Sequence, residues 1–500
     1  MLRGYLSALD AAFLHLETPE MPMHIGAMYR LKLPAGYKGD YYEDYKALIA
    51  SRLHIAPVFT RKLENMPFDL ANPVWIDDDD IDLDYHIRHT VLPRPGSIEQ
   101  LEKLVGRLHS SLLDRSRPLW EFYIIEGLAS GEVAFYSKVH HAALDGQAGM
   151  KLTQALLDIT EEPRTVKPMA AKQGRRGYQL GVGELLWAGL THGLGQSLKL
   201  VQFMPNSVRA LGGALLSRGD DGRLAATRLI RDFKLGPRTH FNGSITNQRS
   251  FGSISLELKR VKAIGKQLGA TINDIVLALC SGALRRYLAD YDELPGKPLI
   301  AAVPVSMRAQ GDETQNNQVL MAPVTLATDE KDPLKRLAAI KAASASTKSL
   351  MNGLKSNVVL DVPSLGTPWL MTGLISLLVR SRVVDAIPPV ANVTISNVPG
   401  PQFPLYMARA EVLCMHPVSI PFHGVGINIT VQSYNGHLDF GITACRRSVP
   451  DVKSLTNYLG DALDELEAIA LAKAEAPPVK KPRPRPRLVR ANERPADAAE

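Results

Sequence analysis

"FYSKVHHAALDGQAGM", Phe135 to Met150, ends an apolar run on two adjacent histidines and sets Asp145 and Gly146 just beyond them. Imidazole is the side chain suited to moving protons near neutral pH. Two of them beside a carboxylate have three readings: packing, a metal site, or a catalytic base with its support. The surroundings narrow the geometry. "EVAFYSKVHH" (Glu132–His141) and "PLWEFYIIEGL" (Pro118–Leu128) are rich in aromatic and β-branched residues, as strands are. After the motif, Leu152, Ala155, Leu156 and Ile159 recur at helical spacing. Strand, loop and helix in that order make the first third mixed α and β. Neighbouring side chains on a strand point to opposite faces, so one of His140 and His141 must enter the core while the other can face a cleft.

Upstream, "SIEQLEKLVGRLHSSLL" opens with Ser97 and Gln100 in capping-box positions, which predicts a helix start. Downstream, residues 161–180 lose periodicity and gain proline, glycine and charge, the composition of a linker. Leu186, Leu190, Leu194, Leu198 and Val201 then form an apolar stripe with Trp187 beside it, suited to the protein's own core before a lipid surface. A second α/β unit opens near Ser250. There "SISLEL" alternates as a strand, and "TINDIVLALCSGALRRYLADY" is a helix with Thr271 and Asp274 in capping positions. "VGINITVQSYNGHLDFGITA" reads as a hairpin turning at "NG", and a last helix covers residues 453–473.

A chain of 500 residues is too long for one ordinary core, so two domains are expected. The boundaries read as 1–160 for the first, 161–245 for a crossover linker, 246–475 for the second and 476–500 for a tail. With 45% hydrophobic and 22% charged residues the composition is globular. No apolar run reaches the ~18 residues of a membrane span; the nearest, Trp369 to Val379, is closed by Arg380 and Arg382. The start, "MLRGYLSALDAAF", lacks the features of a secretory signal. Cys280, Cys414 and Cys445 are odd in number and scattered, which fits a reducing cytoplasm and no metal or disulfide framework. Residues 476–500 carry seven basic and three acidic side chains, a net +4 that leaves +3 of the chain's +7 for the body. Alternating prolines in "VKKPRPRPRLVR" favour an extended tail, which either touches anionic lipid or simply solubilises the end. No nucleic-acid-binding motif accompanies this charge.

For His15, His24, His54, His86, His89, His109, His192, His240 and His437 a structural role is expected. A zinc site would need further ligands at short, regular spacing, and nothing like HExxH occurs. A serine triad would need a G-x-S-x-G elbow, which is absent. What remains is a histidine acting directly as general base on a substrate hydroxyl.

"HHAALDG" matches the HHxxxDG signature shared by CoA-dependent acyltransferases and peptide-synthetase condensation domains. "LSALDAAFLHLETPEMPMHIGAM", "PLWEFYIIEG", "TINDIVLALCSGALRRYL", "VPVSMR" and "SNVPGP" follow in the order of the bacterial wax ester synthase/diacylglycerol acyltransferases, which the chain resembles over residues 5 to about 450. The resemblance implies two chloramphenicol acetyltransferase-like α/β domains joined by a helical crossover, with a tunnel between them. It implies His141 as the base for an alcohol attacking acyl-CoA, with His140 supporting it and no metal or other cofactor. Asp145 is then an architectural residue of the motif, with Arg308 of "VPVSMR" as its candidate partner. Asn273 is expected to polarise the thioester carbonyl or the oxyanion, although helix capping competes for that region. Gly146, Pro118, Leu119 and Trp120 are expected at the substrate tunnel, with a plain core role an equal alternative for the Pro118–Trp120 triplet, and Ser396 and Asn397 are expected beside the site. The acceptor implied is diacylglycerol or a long-chain fatty alcohol. The expected location is peripheral, at the cytoplasmic face of the inner membrane or on lipid inclusions. Two rivals stand beside it: a condensation-type enzyme acting on carrier-bound thioesters, and a non-catalytic lipid-surface protein.

Overall fold

Alternation of large apolar side chains along the motif's own strand generates the first layer of the protein. In the computed structural model, residues 6, 8–66, 72–144, 146–167, 235–306, 319–355, 385 and 388–475 are described. Their elements in chain order begin α1 (Ala8–Leu16), β1 (His24–Lys32), α2 (Tyr41–Arg52), β2 (Arg61–Glu64), β3 (Val74–Asp77), α3 (Leu83–His86), β4 (Ile87–Val91), α4 (Ile98–His109), β5 (Trp120–Glu126), β6 (Val133–His140) and α5 (Gly146–Leu156). Then come β7 (Arg249–Glu257), α6 (Leu258–Leu268), α7 (Ile272–Asp290), β8 (Ile300–Ser306), β9 (Val319–Thr325), α8 (Pro333–Lys355), β10 (Val393–Val398), β11 (Tyr406–Met407), β12 (Ala410–Val418), β13 (Ile427–Tyr434), β14 (His437–Cys445) and α9 (Val452–Glu475).

Every residue of β6 is buried, because both faces of its sheet are covered. Val133, Phe135 and Val139 join Trp120 and Phe122 of β5 in a core closed by Tyr45 and Ile49 of α2 and Leu152 and Leu156 of α5. On the opposite face Ala134 and Tyr136 pack with Leu101, Leu104 and Val105 of α4, with Phe251 of β7 and with Val418 of β12. That second face is where the halves of the molecule meet. Lys138 and His140 follow the same alternation and point into it.

The first sheet has the order β11-β12-β1-β6-β5-β4, and the second β7-β14-β13-β10-β8-β9. One strand passes between the halves. Residues 406–418 lie in the C-terminal half of the sequence, yet β12 pairs antiparallel with β1 of the first sheet, from Gly26 opposite Val418 to Lys32 opposite Glu411. The reason is edge satisfaction: without β12, β1 would leave its backbone groups unpaired beside the core.

In the second half, helices α6, α7 and α9 bury Val261, Ile264, Val276, Leu284, Leu455 and Leu463 against Ile429, Phe440 and Ile442 of the sheet. Both expected capping boxes form, Ser97 with Gln100 on α4 and Thr271 with Asp274 on α7. The hairpin turns at Asn435 and Gly436, both at positive φ (40° and 84°), as a tight two-residue turn requires. Helix α4 crosses from one half to the other. A Cβ at Gly106 would stand 2.9 Å from the Arg249 carbonyl oxygen, so only glycine lets α4 lie this close to β7. The stripe at 186–201, the apolar run 369–379 and the tail 476–500 lie outside the described residues.

Candidate active site

Strand β6 ends where the motif begins, and the backbone there is held from two sides. His140 N–H donates to the Leu119 carbonyl at 3.0 Å, and His141 N–H donates to the Met23 carbonyl at 2.9 Å. A 3-10 turn over His141–Ala143 then swings the second imidazole off the strand direction. The separation of the two rings follows: His140 is fully buried, while His141 keeps part of its surface accessible.

His140 Nδ1 accepts the Ala142 N–H at 3.1 Å, so a neutral ring carries its proton on Nε2. That nitrogen faces Glu17 Oε2 at 3.2 Å, an ion-pair distance off the ideal hydrogen-bond axis. Glu17 is itself enclosed, with its side chain only 4% exposed. Its Oε2 also accepts the Met23 N–H at 2.9 Å, and its Oε1 accepts from Arg115 Nε at 3.1 Å and Nη2 at 2.8 Å. Burial by itself would push this carboxyl up. The close approach of His140, then Arg115 and the Met23 N–H, outweigh burial and hold it down at about 2. A carboxylate is thereby fixed under the motif, tying α1 to β1 and β6.

His141 sits against α1. Its ring stacks on Phe13 with centroids 3.9 Å apart and planes 20° from parallel. Nδ1 is enclosed and makes no full hydrogen bond; the polar group that acts on the ring is the residue's own carbonyl. Burial lowers its pKa most, the own carbonyl opposes this, and the His140 charge lowers it further, to about 4. The imidazole is therefore neutral at physiological pH. A proton on Nδ1, toward that carbonyl, leaves the Nε2 lone pair as the available base.

Below the motif lies a buried polar layer. His24, directly opposite His140 in β1, places Nε2 2.8 Å from the His109 carbonyl and meets the His109 ring edge-on at 4.6 Å. His109 Nδ1 is 2.7 Å from the Tyr136 hydroxyl, and its Nε2 is 3.0 Å from the Ser419 carbonyl. Burial holds His24 well below the ordinary range and His109 at about 3. Lys138, lowered by burial, is paired with Glu121 at 3.2 Å. The structural role expected for His24 and His109 takes this form: neutral rings that link α4, β1 and the second half.

Several expected site residues lie elsewhere. Trp120 follows the core alternative for its triplet: it is sealed inside, stacked on His86 at 4.2 Å and donating Nε1–H to the Phe59 carbonyl at 3.3 Å. Pro118 is buried too, and Leu119 packs against Ala142 beneath the motif, so the triplet supports the histidine loop from below. Gly146 opens α5. Asn273 is half-buried in the first turn of α7, where Asp274 takes the capping role; no hydrogen bond among the described residues joins Asn273 to His141. Ser396 and Asn397 are half-buried on β10 opposite Thr430 and Val431 of the second sheet, again with no described bond to the motif. Asp145 and Arg308 lie outside the described residues. Phe13, Glu17, Met23 and Arg115 are the neighbours that sequence reasoning missed. Three of them stand inside the opening block "LSALDAAFLHLETPEMPMHIGAM", to which no residue role was attached. Among the described residues no cluster of His, Cys, Asp and Glu is arranged to hold a metal.

The chain matches the wax ester synthase/diacylglycerol acyltransferase catalytic domain over residues 6–276 and the C-terminal domain of the same family over 315–467. It is 37% identical to a Mycobacterium tuberculosis protein named as a diacylglycerol O-acyltransferase, over 92% of this chain and 99% of that one. It is 34% identical to the O-acyltransferase WSD of Acinetobacter baylyi, over 94% and 98% of the two chains. The solved wax ester synthase/diacylglycerol acyltransferase of Marinobacter aquaeolei VT8 superposes with a TM-score of 0.67 at 30% identity, covering 93% and 99%. A starter condensation domain of rhizomide synthetase shares the fold alone, with a TM-score of 0.53 at 11% identity. With these matches and its two chloramphenicol acetyltransferase-like halves, the chain is an acyltransferase. The chain belongs to the wax ester synthase/diacylglycerol acyltransferase family.

Proposed function

We propose that His141 is the general base for acyl transfer from acyl-CoA to the hydroxyl of a diacylglycerol or a long-chain fatty alcohol. The observation that carries this is a partly accessible imidazole, clamped on Phe13 and kept neutral by burial. Nε2 takes the hydroxyl proton as the oxygen attacks the thioester carbonyl. The tetrahedral intermediate collapses, expelling CoA sulfur, which leaves as the thiol with the proton returned from Nε2. A base whose pKa is near 4 is weak. Such a base favours proton transfer in step with C–O bond formation, so that imidazolium and oxyanion appear together and stabilise one another in a poorly solvated site. No acyl-enzyme and no metal is required by this sequence of steps.

The relatives' names support the acceptors, diacylglycerol in one and, through wax ester synthesis, an alcohol in the other. Both acceptors and both products are insoluble in water, which supports a peripheral position at the inner membrane or on lipid inclusions. No single described helix is long and apolar enough to cross a membrane. Fractionation of lipid-accumulating cells tests the location, and recovery wholly with cytosol would refute it.

The decisive assay offers purified protein palmitoyl-CoA with diacylglycerol and hexadecanol in competition and no carrier protein. Product formation excludes the condensation-type rival. His141→Ala should lose roughly 10²–10⁴-fold in turnover while melting normally. Undiminished CoA release from a folded variant would sink the assignment.

A further inference from the structure

Beside α4 a cavity of about 670 Å³ opens between the halves of the molecule. One wall comes from β4, the loop after it and α4; the other comes from the start of β7 and the turn between β14 and α9. Arg107, Arg249, Arg446 and Lys453 all line it. None of the four has a carboxylate at ion-pair distance among the described residues. The acids in the same wall are already engaged. Glu99 pairs with Lys103 at 2.8 Å, Glu102 accepts the N–H and hydroxyl of Ser253 at 2.8 and 2.7 Å, and Asp451 caps α9 through Ser454.

Arg249 is the most telling of the four. Only 5% of it is exposed, and its guanidinium donates to carbonyls alone: Thr246, Gln248 at 3.3 Å and Glu20 at 2.7 Å. Burial without a counter-ion pushes it down to about 10. Desolvating a cation without a nearby anion is unfavourable, so the place asks for a negative ligand. On the β4 and α4 side, Pro93, Leu104 and Val91, the last 59% exposed, add apolar surface beside Arg107. Cations on both walls next to an apolar patch suit a phosphorylated aromatic base. The cavity is also tied to the base: Glu20, whose carbonyl Arg249 holds, lies three residues before Met23, whose carbonyl holds His141.

We propose that this cavity holds the phosphorylated adenosine end of acyl-CoA, with the cations on its phosphates and the purine against Val91, Pro93 and Leu104. The inference rests on acyl-CoA being the donor. An anionic phospholipid headgroup shares the phosphate chemistry and is the competing source.

Calorimetric titration of the full chain with adenosine 3′,5′-bisphosphate, with adenosine and with dihexanoyl phosphatidylglycerol separates them. The bisphosphate should bind, adenosine should bind at least about tenfold more weakly, and the lipid should not displace the bisphosphate. Arg446 and Lys453 are exposed, so Arg446→Gln/Lys453→Gln leaves the core intact. This variant should weaken bisphosphate binding about tenfold, raise the KM for palmitoyl-CoA similarly, and shrink the preference for palmitoyl-CoA over palmitoyl-pantetheine in proportion. Displacement by the lipid overturns the nucleotide assignment. Active enzyme whose double variant binds the bisphosphate as tightly as the parent overturns the cavity and leaves the catalytic reading standing. Binding through these side chains with no transfer from palmitoyl-CoA does the reverse.

Discussion

Two adjacent imidazoles of one sequence motif receive opposite environments, and a change of backbone direction at one residue decides which is which. His140 stays on the strand and meets a carboxylate, while His141 leaves it and meets an aromatic face. The titration of His141 follows from burial. The proposed mechanism requires its neutral form, and the folded-state value near 4 means that form persists well below the ordinary histidine range. The acid limb of kcat/KM is therefore expected near pH 4, with rate lost as pH falls through that value; a limb at about 6.5 would show an imidazole far better solvated than this one. Glu17 acts through His140, as a positioning residue. Glu17→Gln keeps the shape but removes the charge that Arg115 and His140 share. It should cost about 1–3 kcal/mol of stability and lower kcat with KM for either substrate little changed. A change in KM alone would place Glu17 in substrate binding instead.

At the scale of elements, α4 is the part on which both halves rely. Its capping box fixes the start, its apolar face fills the layer under β6, and its last residue, His109, bonds to Tyr136 and to the Ser419 carbonyl of the other half. Gly106 permits the crossing. Gly106→Ala improves helix propensity by about 1 kcal/mol yet drives a methyl into the Arg249 carbonyl, and overpacking against backbone costs about 1–3 kcal/mol. A net loss of stability on thermal melting is expected; a higher melting temperature would mean that α4 and β7 separate more easily than their contact implies. The Pro118–Trp120 triplet belongs here too. Its residues support the histidine loop by packing, with Leu119 accepting the His140 N–H and also lying against Ala142.

For the whole molecule, the exchange of β12 makes the halves interdependent. The first sheet is complete only when residues 410–418 arrive from the far end of the chain and pair along β1. A fragment of residues 1–245 leaves that edge open, with Met28 and Leu31 of β1 at the border of an uncovered core. It is expected to aggregate on expression and to regain solubility when residues 246–475 are supplied in trans. A monomeric, cooperatively melting 1–245 fragment would show that the first half needs no borrowed strand. The same interdependence sets the cavity beside α4 in a seam, where a ligand touching both walls resists their separation.

Local patterns determined the elements. Aromatic and β-branched composition marked β6, period-2 alternation marked β7 and β14, capping residues marked the starts of α4 and α7, and "NG" marked the hairpin, because each depends on neighbours a few residues apart. The motif itself identified its histidines and separated them by face. Which sheet β12 joins and that Glu17 and Arg115 stand under His140 were decided only by tertiary structure. Those facts depend on pairs separated by 98 to 392 residues, such as Glu17 with Arg115 and Gly26 with Val418. Burial, and with it the neutral state of His141, arises only when such distant segments close around the ring and exclude water.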